Sequence, residues 1–384
     1  MFPDRQSRVQ NAKNGEISVR LLICAGGTGG GVYPALAVHD ALKSIHPLAE
    51  VLWVGGEGGM EARLVERAGI AFKAIPAAGL HGVGLKRLPG NLSAILRGIR
   101  ASESILADFK PDALFFTGGY VAVPMALAGW GVASLLFVPD VEPGLALKTL
   151  SYFAKRITVS TEESLRFFPK RADVHVTGYP VRSELTQWRK AIGRQRLGIA
   201  GEKPVLLAVG GSKGAHSINM AILAHLETLL EQVEIIHLTG ELDWPMVEAA
   251  RERLPAEKAK HYHAHPYLHD DIGAALSAAD LAVSRAGASA LGEFPLFGLP
   301  VILVPYPHAW RYQKVNADML TQRGAALMIE DAKLKSGLAL TVEKLLETPE
   351  KLDAMRAAMA SLRVPDAAKS IARHLIELAG EQHG

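Results

Sequence analysis

The chain has 384 residues, one cysteine and a formal net charge of +3 at pH 7. This length exceeds the size at which a single hydrophobic core usually stops growing, so we expect two domains. A single cysteine excludes an internal disulfide framework and is typical of a reducing compartment. Because the net charge is small, we expect no nucleic-acid partner.

Two segments bear on membrane location. Residues 1–17 form a polar tail without the apolar core of a secretory signal. Residues 113–139 contain no charged side chain and are long enough to span a bilayer. Glycines and prolines divide this second segment into short runs, which predicts a strand, a turn, a short helix and a strand in a buried core.

In the first half of the chain, short apolar runs alternate with amphipathic stretches. The predicted strands are VRLLICAGG, EVLWVGG, PDALFFTGG and SLLFVP, and the predicted helices include VYPALAVHDALKSI and GMEARLVERAG. The pattern restarts after VTGYPVRSEL with PVLLAVGG, EIIHLTG, ADLAVSRAG, LPVILVP and AALMI. Strands that alternate with helices indicate parallel sheets, so the sequence predicts two doubly wound α/β domains that join near residues 178–182.

A glycine-rich segment, GGTGGG, lies between the first predicted strand and its helix. This first glycine loop (Gly26–Gly31) could receive an anion, because a helix N-terminus presents unpaired N–H groups. The loop lacks the dinucleotide spacing, since Val32 stands at the third glycine position, and no lysine of a nucleoside-triphosphate loop follows it. A tight turn required only by packing is the alternative.

The second domain repeats this design in GGSKGAHS. In this second glycine loop (Gly210–Gly214), Ser212 can donate a hydroxyl and Lys213 can add positive charge. Further on, SRAGASALGEF places Glu293 where a carboxylate suits a ribose diol, although a glutamate that favours the helix dipole is the alternative. Gln313 and Asn316 in PHAWRYQKVNA would share one helix face and could contact sugar or phosphate; otherwise they are surface residues.

Together, GGTGGGVYPAL, GMEARLVERAGI, GGYVAVPMALAGW, GYPVR, VGGSKGAHSIN, SRAGASALGE and PHAWRYQKVNA resemble the MurG-type N-acetylglucosaminyltransferases of glycosyltransferase family 28, over about residues 18–365. The resemblance implies the GT-B fold, an α/β fold of two Rossmann-like, doubly wound parallel-sheet domains that face a central cleft. An acceptor- and membrane-binding domain would span 18–178 and be completed by a helix in 366–384, and a UDP-sugar-binding domain would span 179–365.

The resemblance implies an inverting transfer of GlcNAc from UDP-GlcNAc to the muramyl sugar of an undecaprenyl-diphosphate-linked peptidoglycan precursor. The enzyme would act as a peripheral protein at the cytoplasmic face of the bacterial inner membrane. It would need no metal and no cofactor besides its donor substrate, which agrees with a sequence that has no compact cluster of metal ligands.

The resemblance also implies site residues. Glu293 would hold the ribose, Ser212 and Arg182 would lie near the UDP diphosphate, and the two amides would contact the donor. The full UDP-sugar set is Arg182, Gly211, Ser212, Ala288, Ser289, Glu293, Gln313 and Asn316. The acceptor diphosphate would lie against Gly27, Thr28, Gly29, Gly30 and Gly31.

Two stretches depart from the family pattern: the end of the first glycine loop, and residues 137–140 (FVPD), which replace the family's HEQN segment. Gly31 stands where the family has the histidine of GGTGGH, and Asp140 stands where the family's HEQN segment has its asparagine. Inverting transfer needs a base near the acceptor hydroxyl, so Asp140, Glu142 and His81 are the candidates for that role. The departures leave two alternatives open: a related transferase with a different lipid or sugar acceptor or donor, and a UDP-sugar-binding protein that has lost catalysis.

The segment GLKRLPGNLSAILRGIR, residues 84–100, mixes leucine and isoleucine with lysine and arginine. A basic and apolar segment of this kind can lie on an anionic bilayer, and Trp130 would join it. The alternative is an ordinary amphipathic helix with a solvated basic face.

Overall fold

The computed structural model describes residues 19–27, 29–78, 88–211 and 214–381. Backbone contacts divide the chain into two units. The first comprises the described parts of Met1–Pro139, Pro143–Arg182 and Asp366–Gly384, and the second comprises Asp140–Glu142 and Ser183–Pro365.

The described part of the first unit contains a parallel sheet of seven strands in the order β3-β2-β1-β4-β5-β6-β7. Its strands are β1 (Arg20–Ala25), β2 (Glu50–Gly56), β3 (Ala71–Ile75), β4 (Ala113–Gly118), β5 (Ala133–Val138), β6 (Arg156–Val159) and β7 (Val174–Val176). Its helices up to the second unit are α1 (Gly29–Ile45), α2 (Glu61–Arg67), α3 (Leu88–Phe109), α4 (Ala122–Ala128) and α5 (Leu145–Leu150), with a 3₁₀ helix at Glu162–Phe167.

The central strands of this sheet have no exposed face. Every residue of β1, β4 and β5 is buried, as expected for parallel strands covered by helices on both sides. In the register, Leu21 of β1 pairs with Val51 of β2 on one side and with Ala113 of β4 on the other. The chargeless segment 113–139 is therefore a strand, a helix and a strand of this core. Among the described residues, no helix is both long and apolar enough to cross a membrane.

The described part of the second unit contains a parallel sheet of six strands in the order β10-β9-β8-β11-β12-β13. Its strands are β8 (Val205–Val209), β9 (Glu234–Leu238), β10 (Tyr262–His265), β11 (Leu281–Ser284), β12 (Val301–Leu303) and β13 (Ala326–Met328). Its helices are α6 (Lys190–Arg196), α7 (His216–Ala224), α8 (Leu226–Gln232), α9 (Trp244–Glu252), α10 (Ala256–Ala259), α11 (Ile272–Ala278), α12 (Glu293–Phe297), α13 (Trp310–Gln322), α14 (Leu334–Leu346) and α15 (Pro349–Ser361). The 3₁₀ helices are Ser183–Gln187, Ala288–Leu291, Pro307–Ala309 and Asp331–Lys333.

After the second unit, helix α16 (Ala367–Gly380) returns to the first unit and packs on α1, β4 and β5. Part of this docking is electrostatic. The Arg156 guanidinium of β6 lies 2.9 Å from Glu377 of α16 and 2.8 Å from Asp173. Both carboxylates hold the pKa of Arg156 above its usual range against the opposing effect of desolvation.

The first unit extends to Arg182, the last residue of the join expected near residues 178–182. Residues 179–182, placed with the UDP-sugar domain by the sequence, belong to the first unit. The reason is local packing. The buried Tyr179 ring meets Phe137 edge to face at 6.1 Å, and the Arg182 guanidinium lies 4.7 Å from the ring centre of Tyr33 in α1.

Candidate functional site

In each sheet, the strand order reverses between two central strands: between β1 and β4 in the first, and between β8 and β11 in the second. Ligands of open parallel sheets bind beyond the carboxyl ends of the strands at this switch point. The first glycine loop follows β1, and the second follows β8. Both loops predicted from the sequence therefore lie where the fold itself favours a ligand.

The first glycine loop runs directly into α1. The helix begins at Gly29, earlier than the predicted start at Val32, so Gly29, Gly30 and Gly31 form its first turn. The N–H groups of a first turn have no partner within the helix and favour an anion. Thr28 lies outside the described residues.

A neighbouring glycine turn presses against this loop. Gly119 follows β4 with φ +88°, and a Cβ there would overlap the carbonyl oxygen of Gly26. The Thr117 hydroxyl of β4 donates to the carbonyl oxygen of Gly31 at 2.7 Å. A Cβ added at Gly31 would lie 3.5 Å from Thr117, which is ordinary contact, so glycine at this position is not required by packing at the Cβ.

The second glycine loop has the same design in the second unit. Gly211 and Gly214 have φ values of +89° and +76°, which favour glycine, and Gly214 lies close against the Thr239 carbonyl. Helix α7 begins two residues after Gly214. The predicted contacts Ser212 and Lys213 lie outside the described residues.

A buried polar network supports α7 behind this loop. The Asn219 amide Nδ2 donates to the Thr239 carbonyl at 2.8 Å and to Asp243 at 2.7 Å, while its Oδ1 lies 2.9 Å from His237 Nε2. Because Oδ1 is an acceptor, His237 donates through Nε2 and accepts the Tyr262 hydroxyl at Nδ1, 2.7 Å away. Burial lowers the pKa of His237 to about 3, so the ring stays neutral.

The SRAGAS segment follows β11 and therefore lies beside the second glycine loop at the switch point. Ala288 and Ser289 open a 3₁₀ helix, and Glu293 is the first residue of α12. Arg285 connects this segment to α7, because its guanidinium donates to Ser217 at 2.8 Å and to the Val304 carbonyl at 3.1 Å.

The predicted amides have different surroundings. Gln313 is partly exposed, and its Oε1 accepts the Tyr306 N–H at 2.8 Å. Asn316 is fully buried: Nδ2 donates to Asp140 at 2.7 Å and to the Ala286 carbonyl at 3.0 Å, and Oδ1 accepts the Val141 N–H at 3.0 Å. In this geometry, the Asn316 amide binds protein groups, so the structure does not present it as a direct donor contact.

Asp140–Glu142 cluster with the second unit, although the segments on both sides of them belong to the first. Burial raises the pKa of Asp140, and the hydrogen bond from Asn316 only partly opposes this effect. Glu142 is buried and forms an ion pair with Arg311 of α13, whose Nε lies 2.9 Å from Oε1. The structure thus brings Asp140, Glu142 and Asn316 together, while the third base candidate, His81, lies outside the described residues.

Four residues at these loops were not assigned a role from the sequence: Glu61, Thr117, Asn219 and Arg285. Glu61, Asn219 and Arg285 stand inside motifs that the sequence already marks, GMEARLVERAGI, VGGSKGAHSIN and SRAGASALGE. Their buried partners belong to other strands and helices, which no local pattern reveals. Among the described residues, no group of three or more histidine, cysteine, aspartate and glutamate side chains has the arrangement of a metal site.

Comparison with known proteins agrees with this architecture. The glycosyltransferase family 28 N-terminal domain matches residues 21–159, and the glycosyltransferase family 28 C-terminal domain matches residues 205–371. The chain is 41% identical over 376 residues to the UDP-N-acetylglucosamine–N-acetylmuramyl-(pentapeptide) pyrophosphoryl-undecaprenol N-acetylglucosamine transferase of Desulforudis audaxviator, covering 94% of this chain and 99% of the relative. A protein of the same name from Moorella thermoacetica is 37% identical over 94% of this chain and 99% of the relative.

Among solved structures, MurG from Acinetobacter baumannii matches with a TM-score of 0.73 and 27% identity over 94% of this chain and 99% of that one. The UDP-GlcNAc 2-epimerase from Neisseria meningitidis, at 15% identity and a TM-score of 0.66, shares the fold alone. Two parallel-sheet units, a glycine loop at each switch point and matches along nearly the whole chain lead to one conclusion: the chain belongs to glycosyltransferase family 28, with the MurG-type N-acetylglucosaminyltransferases as its relatives.

Proposed function

We propose that this protein is an inverting glycosyltransferase that moves GlcNAc from UDP-GlcNAc to the muramyl sugar of an undecaprenyl-diphosphate-linked peptidoglycan precursor. The observation that carries the proposal is its identity of 41%, over 94% of the chain, to a relative named for this transfer. The polyprenyl-diphosphate acceptor and the UDP-sugar are accordingly its two substrates.

The second unit would bind the donor. The unpaired N–H groups at the start of α7 suit the UDP diphosphate, since a helix N-terminus favours negative charge and can stabilise the departing UDP. Gly211, Ser212 and the SRAGAS residues Ala288 and Ser289 would surround it, and Glu293 would bind the ribose. Gln313 would contact the sugar, whereas we assign Asn316 the task of fixing the Asp140 carboxylate.

The first unit would bind the acceptor diphosphate at the start of α1. The rim of this site includes Arg182, which packs over Tyr33 one turn from the loop glycines. We therefore expect the Arg182 guanidinium to serve the acceptor diphosphate rather than the UDP diphosphate, the role that the resemblance implied for it.

For the base, Asp140 is the first candidate, because it is a partly exposed carboxylate. Its pKa is raised by burial, and a carboxylate with a raised pKa accepts a proton more readily at neutral pH. The Asn316 amide fixes its orientation through the 2.7 Å hydrogen bond. Glu142 would instead orient α13 through Arg311, and His81 remains the alternative base.

We also propose that the first unit contacts the cytoplasmic face of the plasma membrane, where its acceptor would lie. On α3, Leu92 and Leu96 are 52% and 54% exposed, and the arginines Arg97 and Arg100 beside them are exposed as well. Trp130 is 71% exposed. Exposed leucine and tryptophan together with arginine suit an anionic bilayer surface.

Gly31 supports two alternative functions, because the family histidine is absent there. One is a transferase that uses another acceptor or donor. The other is a protein that binds UDP-sugar without transferring it. The proposed function and these two alternatives differ in whether UDP is released and in which acceptor or donor its release requires.

The test is a UDP-release assay with UDP-GlcNAc, UDP-GalNAc and UDP-glucose, each with and without a lipid-linked muramyl acceptor. Release from UDP-GlcNAc that depends on the acceptor supports the proposal. Asp140→Asn should lower kcat by about 10²–10⁴-fold if Asp140 is the base, with UDP affinity retained. Asp318→Asn, on the same helix as Asn316, is the matched control and should keep full activity. Full activity of Asp140→Asn, with activity lost in His81→Ala, would move the assignment to His81.

A further inference from the structure

Glu61, the first residue of α2, is a carboxylate buried beneath the first glycine loop. It is only 1% exposed. One oxygen, Oε1, accepts the Gly56 N–H at 2.8 Å, and the other, Oε2, accepts the Gly27 N–H at 3.3 Å. A single side chain thus connects the end of β2 to the end of β1.

The backbone around this carboxylate is made of glycine. A Cβ at Gly26 or Gly59 would overlap the carboxyl group, and one at Gly55 would lie 2.9 Å from Oε1. The close approach of three backbone segments leaves the carboxylate no room to turn. Since hydrogen bonds to a charged acceptor are the stronger ones, the two N–H groups fix the carboxylate as firmly as it fixes them.

On its other side, the loop contacts β4 and the turn after it. The Thr117 hydroxyl donates to Gly31 at 2.7 Å, and Gly119 packs against Gly26. The loop is therefore held between a carboxylate on one flank and a strand end on the other.

We propose that Glu61 is the positioning residue of the acceptor site. Its carboxylate accepts the Gly27 N–H, so this group does not bind the acceptor diphosphate, and it orients the first turn of α1 (Gly29, Gly30 and Gly31) toward that diphosphate. This inference rests on the proposed function for the identity of the anion. Glu61 is not itself a base, because a carboxylate that is 1% exposed cannot reach an acceptor hydroxyl.

Glutamine at position 61 removes the negative charge of the side chain and keeps nearly the same shape. A glutamine side chain has one acceptor atom, so one of the two backbone N–H groups would face an NH₂ group and lose its bond. Glu61→Gln should therefore loosen the loop without opening a cavity. Glu66→Gln, an exposed position on the same helix, is the matched control.

The experiment measures steady-state kinetics and amide hydrogen exchange on the full chain. For Glu61→Gln, we expect KM for the lipid-linked acceptor to rise about tenfold, with kcat and KM for UDP-GlcNAc within about twofold of wild type. Exchange in the peptide that covers the first glycine loop should become faster by a similar factor. Glu61→Asp keeps the charge and both acceptor oxygens on a side chain one methylene shorter, and should fall between glutamine and wild type.

Several results would overturn the inference. An unchanged or lower acceptor KM in Glu61→Gln would mean that the carboxylate merely repels the diphosphate or does nothing. Equal rises in donor and acceptor KM would indicate a general structural role. If the wild-type protein transfers no sugar, the proposed function fails. Amide hydrogen exchange of the first glycine loop, compared between Glu61→Gln and wild type, still tests whether Glu61 positions the loop. If Glu61→Gln does not fold, Glu61→Asp is measured in its place. Amide hydrogen exchange of the first glycine loop at the wild-type rate in that variant would refute the proposal.

Discussion

Gly214 offers the sharpest test of how the second glycine loop is built. Its backbone has φ +76°, and a Cβ there would overlap the carbonyl oxygen of Thr239 and lie 2.9 Å from the carbonyl carbon. That carbonyl cannot retreat without cost, because it accepts the Asn219 amide at 2.8 Å. Gly214→Ala should therefore displace the loop away from β9.

The expected loss of unfolding free energy in Gly214→Ala has two parts. A left-handed conformation costs a residue with a side chain about 1–2 kcal/mol. Overlap with a packed backbone adds about 1–3 kcal/mol, so the total is roughly 2–5 kcal/mol. Gly198 has φ +68° and no atom within 4 Å of its Cβ position, so Gly198→Ala isolates the first part and should cost about 1–2 kcal/mol.

The assay combines urea unfolding with calorimetric titration of UDP. Gly214→Ala should lose UDP affinity by at least about tenfold, because the N-terminus of α7 moves with the loop. Gly198→Ala, outside the loop, should bind UDP as the wild type does. Equal unfolding free energies and equal UDP affinities for the two variants would refute the reasoning.

Three further predictions concern charge and packing. Burial raises the pKa of Asp140, so ionisation of this carboxyl lowers the stability of the fold as pH rises above the ordinary aspartate pKa of about 3.9. In urea unfolding, Asp140→Asn should therefore be more stable than wild type at pH 7 and equal to it near pH 3. Gly31→Ala should keep or slightly raise the melting temperature, since its Cβ meets Thr117 at an ordinary 3.5 Å. Arg156→Ala should cost about 1 kcal/mol or less by removing the ion pairs with Asp173 and the exposed Glu377.

Each of these has a result that would contradict it. A stability difference between Asp140→Asn and wild type that does not change with pH would remove the desolvation argument. A markedly lower melting temperature for Gly31→Ala would show that the site has no room for a side chain. Arg373→Ala, an exposed position on α16, is the control for Arg156→Ala, and equal losses would mean that the ion pairs contribute nothing.

Local patterns predicted much of the fold. Strand β2 has the bounds of its apolar run, and both glycine loops lie where glycine spacing placed them. The strands β3, β6, β7 and β10 were not predicted, because polar residues interrupt each of them and none is a continuous apolar run. The start of α1 differs because glycine has low helix propensity, and tertiary contacts at Gly31 overcome that preference.

The site was predictable only in part, because its supporting contacts join distant segments. Asn316 and Asp140 are 176 residues apart, yet their 2.7 Å hydrogen bond decides what each can do. From the sequence, Asn316 is a ligand contact, whereas in the fold it is a buried amide that binds a carboxylate. Glu61 illustrates the same limit, since a glutamate at the start of a helix is first explained by the helix dipole.

The most direct test of the account is mass-spectrometric analysis of the product formed from UDP-GlcNAc and a lipid-linked muramyl acceptor. The account predicts an acceptor that gains the mass of a single N-acetylhexosamine residue, with one UDP released for each transfer. An unmodified acceptor, from a protein that is folded and binds UDP, would contradict it.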